Sequence, residues 1–222
     1  ITKVNGNANL APGKTLAGKM GVADSFYPRN VLIEEFTTEN CGNCPRVIGY
    51  LKTALNTADD SRVTVVCHHA GYGDDWLTSK WDTDIATMMY GNTGSTFAPA
   101  VGFNRDYSNI SEQGSRSGVL FLPGSSNILK AKINKVIGQE ANTKLDIEVV
   151  KCFDGTWATI TVNGECNTGY NQDNSNFTFY LTENKVKAKK QAGASGAFYH
   201  DHVIRYNNSS WGEAVEWKDN KF

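Results

Sequence analysis

The sequence predicts an α/β domain followed by an all-β domain, and three observations carry that prediction. A short apolar run, Val31 to Phe36, leads into Cys41-Gly-Asn-Cys44-Pro45 and then into helical spacing at Ile48, Leu51 and Leu55. A second run, Arg62 to His68, is β-branched and almost continuous, as a central parallel strand would be. Near Thr143 the texture changes, and strand-like segments follow with no helix between them.

Taken in order, residues 1–29 are rich in Gly, Asn and Lys and read as an extended arm. Val31 to Phe36 is a strand. Residues 45–57 form a helix, with Pro45 in its first turn, where no amide donor is needed. Residues 62–68 are the second strand and 70–76 a Gly/Asp loop. Residues 79–90 form a helix whose apolar face is Trp81, Ile85, Met88 and Met89. A strand at 100–103, a polar loop at 104–118 and a short strand at 119–122 lead to a helix at 127–141. Strands at 144–152 and 156–162 flank Asp154-Gly155, a strong hairpin signal. Further strands are expected at 176–183 and 199–206. The domain organisation read from this is an arm (1–29), an α/β domain (30–142) and an antiparallel β-sandwich (143–222). Four strands are few for a sandwich, so the arm or chain beyond Phe222 is expected to complete it.

Lys and Arg number 22 against 23 Asp and Glu, a net charge of −1. With no basic stripe, the chain does not read as a nucleic-acid binder. The densest basic run, Lys185 to Lys190, reads as a solvated edge strand or loop. No run of 18 apolar residues exists to span a bilayer. The chain begins at Ile1, so an upstream segment carrying a secretion signal or lipid anchor is expected. Abundant Asn, Gly, Ser and Thr fit an extracytoplasmic protein. Five cysteines are an odd number, leaving at least one unpaired, and too few to staple the fold without a core.

The C-x-x-C is open to three readings: disulfide exchange, an inert structural bridge, or a metal site. Exchange is favoured by position, because a helix start lowers the pKa of the first thiol, Cys41. Zinc is disfavoured by the lack of a second C-x-x-C or a C-x-x-H. Asn43 between the cysteines is uncharged and leaves the direction of electron flow open. His68 and His69 end the second strand on the same sheet edge, with side chains on opposite faces. One of them is a candidate auxiliary group, as a cation favouring the thiolate or as a copper or zinc ligand. The plainer reading is a hydrogen-bonded strand-end histidine. Asp74 and Asp75 fit no EF-hand and read as loop-solvated or capping residues. His200 and His202 share one side of an expected strand, but no third ligand is identifiable, so they read as structural. Cys67 reads as a buried small hydrophobe. In a regular hairpin Cys166 lies about 30 Å along the strand from the residue opposite Cys152. A disulfide needs Cα atoms within about 7 Å, so no Cys152–Cys166 bridge is expected. No cofactor motif and no metal set are read from the sequence.

The first unit resembles the thioredoxin fold. Glu35 lies six residues before Cys41, where that fold places a buried acid. Pro99, after Ala98 and before an apolar strand, matches the family's cis-proline. The departures are Asn40 in place of the usual tryptophan and an insertion-like loop after Val66. A longer pattern resembles the Omp28-related outer-membrane lipoproteins of Bacteroidetes. It comprises Val31 to Thr37, Asn40 to Pro45, His69-Ala-Gly71, Phe103-Asn-Arg105 and Phe198-Tyr-His-Asp-His-Val-Ile-Arg205. The resemblance covers roughly residues 30–210. It implies a thioredoxin-like domain, a β-sandwich behind it, and an outer-membrane address through a lipid anchor outside this chain.

The function expected from both is thiol–disulfide exchange on extracytoplasmic proteins. Cys41 attacks, Cys44 resolves, Glu35, raised in pKa by burial, handles a proton, and Pro99 presents the substrate backbone. The competing expectation is a non-catalytic binding or adhesion lipoprotein with this domain as scaffold. The loops at 70–78 and 104–118, or the β-domain, would then meet the partner. Fold alone does not choose between them.

Overall fold

The computed structural model describes residues 26–56, 60–91, 95–111, 118–151, 157–173 and 175–222. In chain order the elements begin with β1 (Tyr27–Pro28), β2 (Val31–Thr37), α1 (Cys44–Leu55), β3 (Val63–His69), α2 (Lys80–Tyr90) and β4 (Ala100–Phe103). They continue with α3 (Ser126–Ile137), β5 (Glu140–Ala141), β6 (Thr143–Lys151), β7 (Ala158–Cys166), β8 (Asn176–Phe177) and β9 (Tyr180–Glu183). The last are β10 (Val186–Lys187), β11 (Tyr199–His200), β12 (Val203–Asn207) and β13 (Glu213–Ala214). Most of the expected arm, the Asp154-Gly155 turn and Cys152 lie outside the described residues.

The contacts divide the described residues into two units, one drawn from 29–139 with 176–214 and one from 26–28, 140–173, 175 and 215–222. In the first, β2 and β3 run parallel, in register from Val31↔Val63 to Thr37↔His69. β4 lies antiparallel on the other side of β2, and Phe121 bridges Val101 beyond it. Residues 176–214 extend the opposite edge. β12 lies parallel to β3 through Val203↔Cys67, and β9 pairs antiparallel with β12. The sheet order is β4-β2-β3-β12-β9.

These strands are covered on both faces, and pleat alternation decides which side chain goes where. Val31, Ile33 and Val65 pack with Val47, Leu51, Leu129 and Ile133 of α1 and α3. Phe36 and Val66 pack with Ile85, Ala86 and Met89 of α2. Helix ends follow local chemistry. Ser79 and Asp82 close a capping box at α2, and Ser125 caps α3 by accepting from the Ile128 amide. α3 ends at Ile137, before Gly138, rather than at residue 141 as expected, because Glu140 and Ala141 pair with β1.

The sandwich expected for 143–222 is not what the described residues form. β9 and β12 join the first unit's sheet, while β8–β13 and β10–β11 are separate two-stranded ladders. The physical reason is the open edge of β3, which needs a strand with apolar residues on both faces; Val203 and Ile204 are both buried. The second unit holds the β6–β7 hairpin, in register from Thr143↔Cys166 to Lys151↔Ala158. Phe222 exchanges backbone hydrogen bonds with Gly164 there and packs on Trp217. Cys166, opposite Thr143, is buried and unbridged.

The α2 face of the sheet buries a charged network. Arg105 donates through Nε and Nη2 to Glu34 Oε2 and Oε1 at 2.8 and 2.6 Å, and also to the Tyr180 hydroxyl. His68 lies 3.3 Å from Glu34 Oε1 through Nε2 and 3.4 Å from Asp82 Oδ1 through Nδ1, the latter an ion-pair contact outside hydrogen-bond geometry. Burial alone would raise the Glu34 pKa, but Arg105 and His68 outweigh it and hold the group at about 2. Arg105→Ala would leave Glu34 buried beside histidine alone and is expected to cost about 3–5 kcal/mol in urea unfolding. Arg105→Lys keeps the charge without the two-pronged geometry and should fall between. An Arg105→Ala chain as stable as the parent would show that Glu34 is held some other way.

Candidate functional site

The C-x-x-C occupies the turn between β2 and α1. The Cys41 amide donates to Thr38 O at 3.1 Å, and the Cys44 amide to Cys41 O at 3.3 Å. α1 starts at Cys44, with Pro45 in its first turn; the capping residue Asn43 makes no side-chain cap. The bonds that would compete with a thiolate for the helix N-terminus are therefore few. Cys41 and Cys44 are joined as a disulfide with Cα atoms 5.5 Å apart.

Glu35 sits one strand residue from Glu34 and so faces the opposite side, towards α1. It is buried, and its Oε1 has no hydrogen-bond partner. Burial raises its pKa to about 8 against a weak opposing pull from Lys52. Pro99 is buried, follows a cis peptide bond, and opens β4, which pairs with the end of β2 through Phe36↔Ala100. The Tyr90 hydroxyl donates to Phe97 O just before it. Gly71, at φ +97, makes room for that tyrosine, since a Cβ there would lie 2.4 Å from the hydroxyl.

The two strand-end histidines separate as alternation requires. His68 turns to the α2 face and belongs to the Glu34–Arg105 network. His69 turns to the α1 face, where its Nδ1 lies 2.8 Å from Asp75 Oδ2. Asp75 also accepts from the Glu39 amide at 2.7 Å and the Leu77 amide at 2.7 Å, so it ties the 70–78 loop to the end of β2. Asp74 contributes only its carbonyl, which accepts from Asn40. His200 and His202 do not share a strand: β11 ends at His200, and His202 has φ +60 before β12 begins. His200 instead meets His69, ring centroids 4.6 Å apart, beside buried Cys67.

The disulfide is covered. Cys41 is 3% exposed and Cys44 0%. The basic run is a solvated edge strand and loop as expected, with Lys185, Lys187, Lys189 and Lys190 all exposed; Val186–Lys187 pairs with β11, and the chain then continues as a strap across the C-x-x-C turn. The Lys189 amide donates to Glu39 Oε1 at 2.6 Å and the Ala192 amide to Glu39 O at 2.8 Å. Buried Gln191 donates through Nε2 to Thr38 O at 3.2 Å and Cys41 O at 3.1 Å. Gly193, at φ +75, lies so close that a Cβ would sit 2.1 Å from Gly42 O. Trp76 completes the cover, donating to Glu39 Oε1 at 2.9 Å with the Lys189 ammonium 4.6 Å from its ring centroid.

Sequence reasoning misses Glu39, Gln191 and Asp82 altogether, and places Arg105 only inside a family-like motif. Arg105 follows Phe103 in that motif, so its signal was present without its role. Gln191 carries no local signal, being 150 residues from the carbonyl it meets at Cys41.

No protein-family profile and no curated protein sequence matches the chain. Among solved structures, HBP35 of Porphyromonas gingivalis aligns with a TM-score of 0.69 at 24% identity, over 89% of this chain and 63% of that one. The chain therefore spans less than two thirds of HBP35. Protein AGR_C_4864 from Agrobacterium tumefaciens aligns at a TM-score of 0.50 and 16% identity, over 83% of this chain and 73% of that one. A thioredoxin-like superfamily protein aligns at 0.32 and 14%, too low to bear on the fold. At these identities the likeness extends to fold, with a Bacteroidetes protein among the neighbours.

The titrating groups set the direction of the pH response. Glu35, at about 8 when folded against 4.5 unfolded, holds a proton that the unfolded chain has lost, so stability falls as pH rises between those values. At about 1.4 kcal/mol per unit, the loss passes about 3 kcal/mol by neutral pH. The His68 pKa is raised because its contacts with Asp82 and Glu34 outweigh burial, so its contribution is full below 6.5 and lost as pH rises through the folded value. Glu34 and Asp75, each held at about 2, lose their contributions as pH falls below their unfolded values of 4.5 and 3.8. Melting temperature should therefore peak on the acid side of neutrality. Glu35→Gln should flatten the alkaline limb and leave the acid limb unchanged. An alkaline limb as steep in the variant as in the parent would remove Glu35 as its source.

Proposed function

We propose that this chain is an exported envelope protein in which the thioredoxin-like domain is a binding scaffold, with its C-x-x-C held as a protected disulfide. The single observation behind this reading is the strap: residues 189–193 seal Cys41 at 3% exposure with bonds to Thr38, Glu39 and Cys41. Attack on a disulfide requires a thiolate to reach a sulfur in line, and a covered sulfur resists it. A closed disulfide also fits an oxidising compartment. Membership of the Omp28-related lipoproteins and an outer-membrane lipid anchor outside this chain belong to the same proposal. Palmitate labelling and membrane fractionation of the full-length protein test them.

A second reading, thiol–disulfide exchange on extracytoplasmic proteins, is favoured by Glu35. A buried carboxyl with an unpartnered oxygen and a pKa near 8 matches the requirement for a proton acceptor at neutral pH, and the closed bridge gives no use for it. In this reading the strap moves aside, Cys41 and Cys44 exchange electrons with a substrate dithiol, and Pro99 lines the substrate groove.

One experiment separates the readings. The reduction potential of Cys41–Cys44 and its rate of reduction by dithiothreitol are measured in the parent and in Gln191→Ala and Gly193→Ala. A protected scaffold disulfide predicts a potential below about −300 mV and slow reduction. Removing the Gln191 bonds or forcing Gly193 off Gly42 should speed reduction about 5–30-fold, one or two hydrogen bonds' worth of cover. A parent protein that reduces rapidly, with a potential inside the roughly −270 to −120 mV range of disulfide-exchange proteins, would replace the scaffold reading with the catalytic one.

A further inference from the structure

On the α1 face, two strands past the disulfide turn, three buried side chains converge without filling one another's bonding capacity. Cys67 and His69 stand two residues apart on β3 and share that face. His200 arrives from the end of β11, positioned by the parallel pairing of Val203 with Cys67 and the hydrogen bond from the Cys67 amide to His202 O at 2.9 Å. One sulfur and one ring nitrogen from each histidine lie within 4.8 Å of one another, and all three residues are buried.

The unsatisfied atoms point to a ligand. Asp75 Oδ2 accepts from His69 Nδ1, which fixes the proton there and leaves Nε2 as a bare lone pair; that Nε2 is buried with no partner. Both ring nitrogens of His200 are likewise buried and unpartnered. A buried imidazole with neither nitrogen bonded is costly, and His200, beside the unpartnered Nε2 of His69 and one thiol, needs a partner shared with them. Carboxylate–imidazole pairing of the Asp75–His69 kind is the usual support behind a metal-binding histidine.

We propose that Cys67, His69 and His200 bind one zinc(II)-type transition-metal ion, with Asp75 positioning His69. Mixed sulfur and imidazole donors suit a cation of borderline softness and exclude calcium and magnesium, which take oxygen. A fourth, water position is supplied by the adjoining cavity of about 40 Å³, bounded by Glu35, Leu51, Cys67, His200 and His202. Zinc fits better than a copper electron-transfer centre, which adds a distant thioether; the methionines among the described residues, Met88 and Met89, pack on the opposite, α2 face. On binding, the Cys67 thiol gives its proton to solvent and its sulfur coordinates as thiolate. The site is distinct from the Cys41–Cys44 bridge, which stays oxidised throughout.

Cobalt(II) reports the site directly. The intact chain, with Cys41–Cys44 confirmed as a disulfide by mass, is titrated with Co²⁺ and then with Zn²⁺. The expected result is one Co²⁺ per chain with a thiolate-to-metal charge-transfer band and four-coordinate visible bands, all displaced by Zn²⁺. Cys67→Ser should abolish the charge-transfer band, while Cys166→Ser should leave it intact. His200→Gln should weaken binding at least 100-fold. Asp75→Asn should weaken it about 10–100-fold while keeping the spectrum, as loss of a supporting hydrogen bond does. Circular dichroism establishes that each variant is folded, and the parent titration stands even where one is not. A folded parent chain that takes up no cobalt, or a thiolate band that survives Cys67→Ser, overturns the proposal.

Discussion

Every chemical feature of this fold depends on the parallel register between Val31–Thr37 and Val63–His69. Both strands are buried on both faces, so each polar residue they carry must find a partner on the face to which the pleat assigns it. Glu34 and His68 go to the α2 face and meet Arg105, Tyr180 and Asp82. Glu35, Cys67 and His69 go to the α1 face. Two adjacent glutamates of the same strand are thereby driven apart, one to about 2 by a guanidinium and an imidazole, the other to about 8 by burial without a partner. A slip of one residue would exchange their environments, placing an unpaired carboxylate where the network needs its anion. Register here is fixed by electrostatics as much as by the apolar pattern.

A second constraint comes from far along the chain. Residues 176–214 pair β12 to the exposed edge of β3, and the same connection lays Lys189 to Gly193 over the disulfide and delivers His200 to Cys67 and His69. Edge protection, the cover and the three-ligand cluster are thus consequences of one excursion. His200 is the last residue of β11, and β11 pairs with β10, from which the strap leaves. Any force that shifts β10–β11 therefore acts on the sulfur at Cys41 and on the imidazole at His200 through the same ladder.

The α/β half was legible because its signals are local. The apolar run into a C-x-x-C, Pro45 in the first helical turn and the spacing of Ile48 and Leu51 place β2 and α1 within a residue or two. Glu35 and Pro99 were found by resemblance at fixed offsets, and opposite faces for His68 and His69 follow from the pleat alone. The downstream half was misread because strand texture does not say which sheet a strand joins. Val203 and Ile204 look like sandwich residues, and only the unpaired edge of β3 makes them core residues of the sheet's fourth strand. The apparent strand from 199 to 206 also hides the turn at Asp201-His202, whose positive φ at a histidine has no sequence signature. Cys67, His69 and His200 escaped as a set because His200 was paired in sequence with His202.

The hydrogen bonds of the strap put a size on the cover. Gln191 Nε2 has two protons but faces Thr38 O, Glu39 O, Cys41 O and Ala192 O, all between 3.1 and 3.5 Å, while its own Oε1 is buried without a partner. The anchor is over-subscribed on one side and unsatisfied on the other, so it holds less firmly than its count of contacts suggests. The firm bonds are the backbone donors of Lys189 and Ala192. These two and one bond from Gln191, at about 1 kcal/mol each, amount to about 3 kcal/mol, or roughly a hundredfold slowing of any attack that requires the strap to lift. A cover of that size slows attack on the bridge without forbidding it, since lifting the strap breaks only a few bonds.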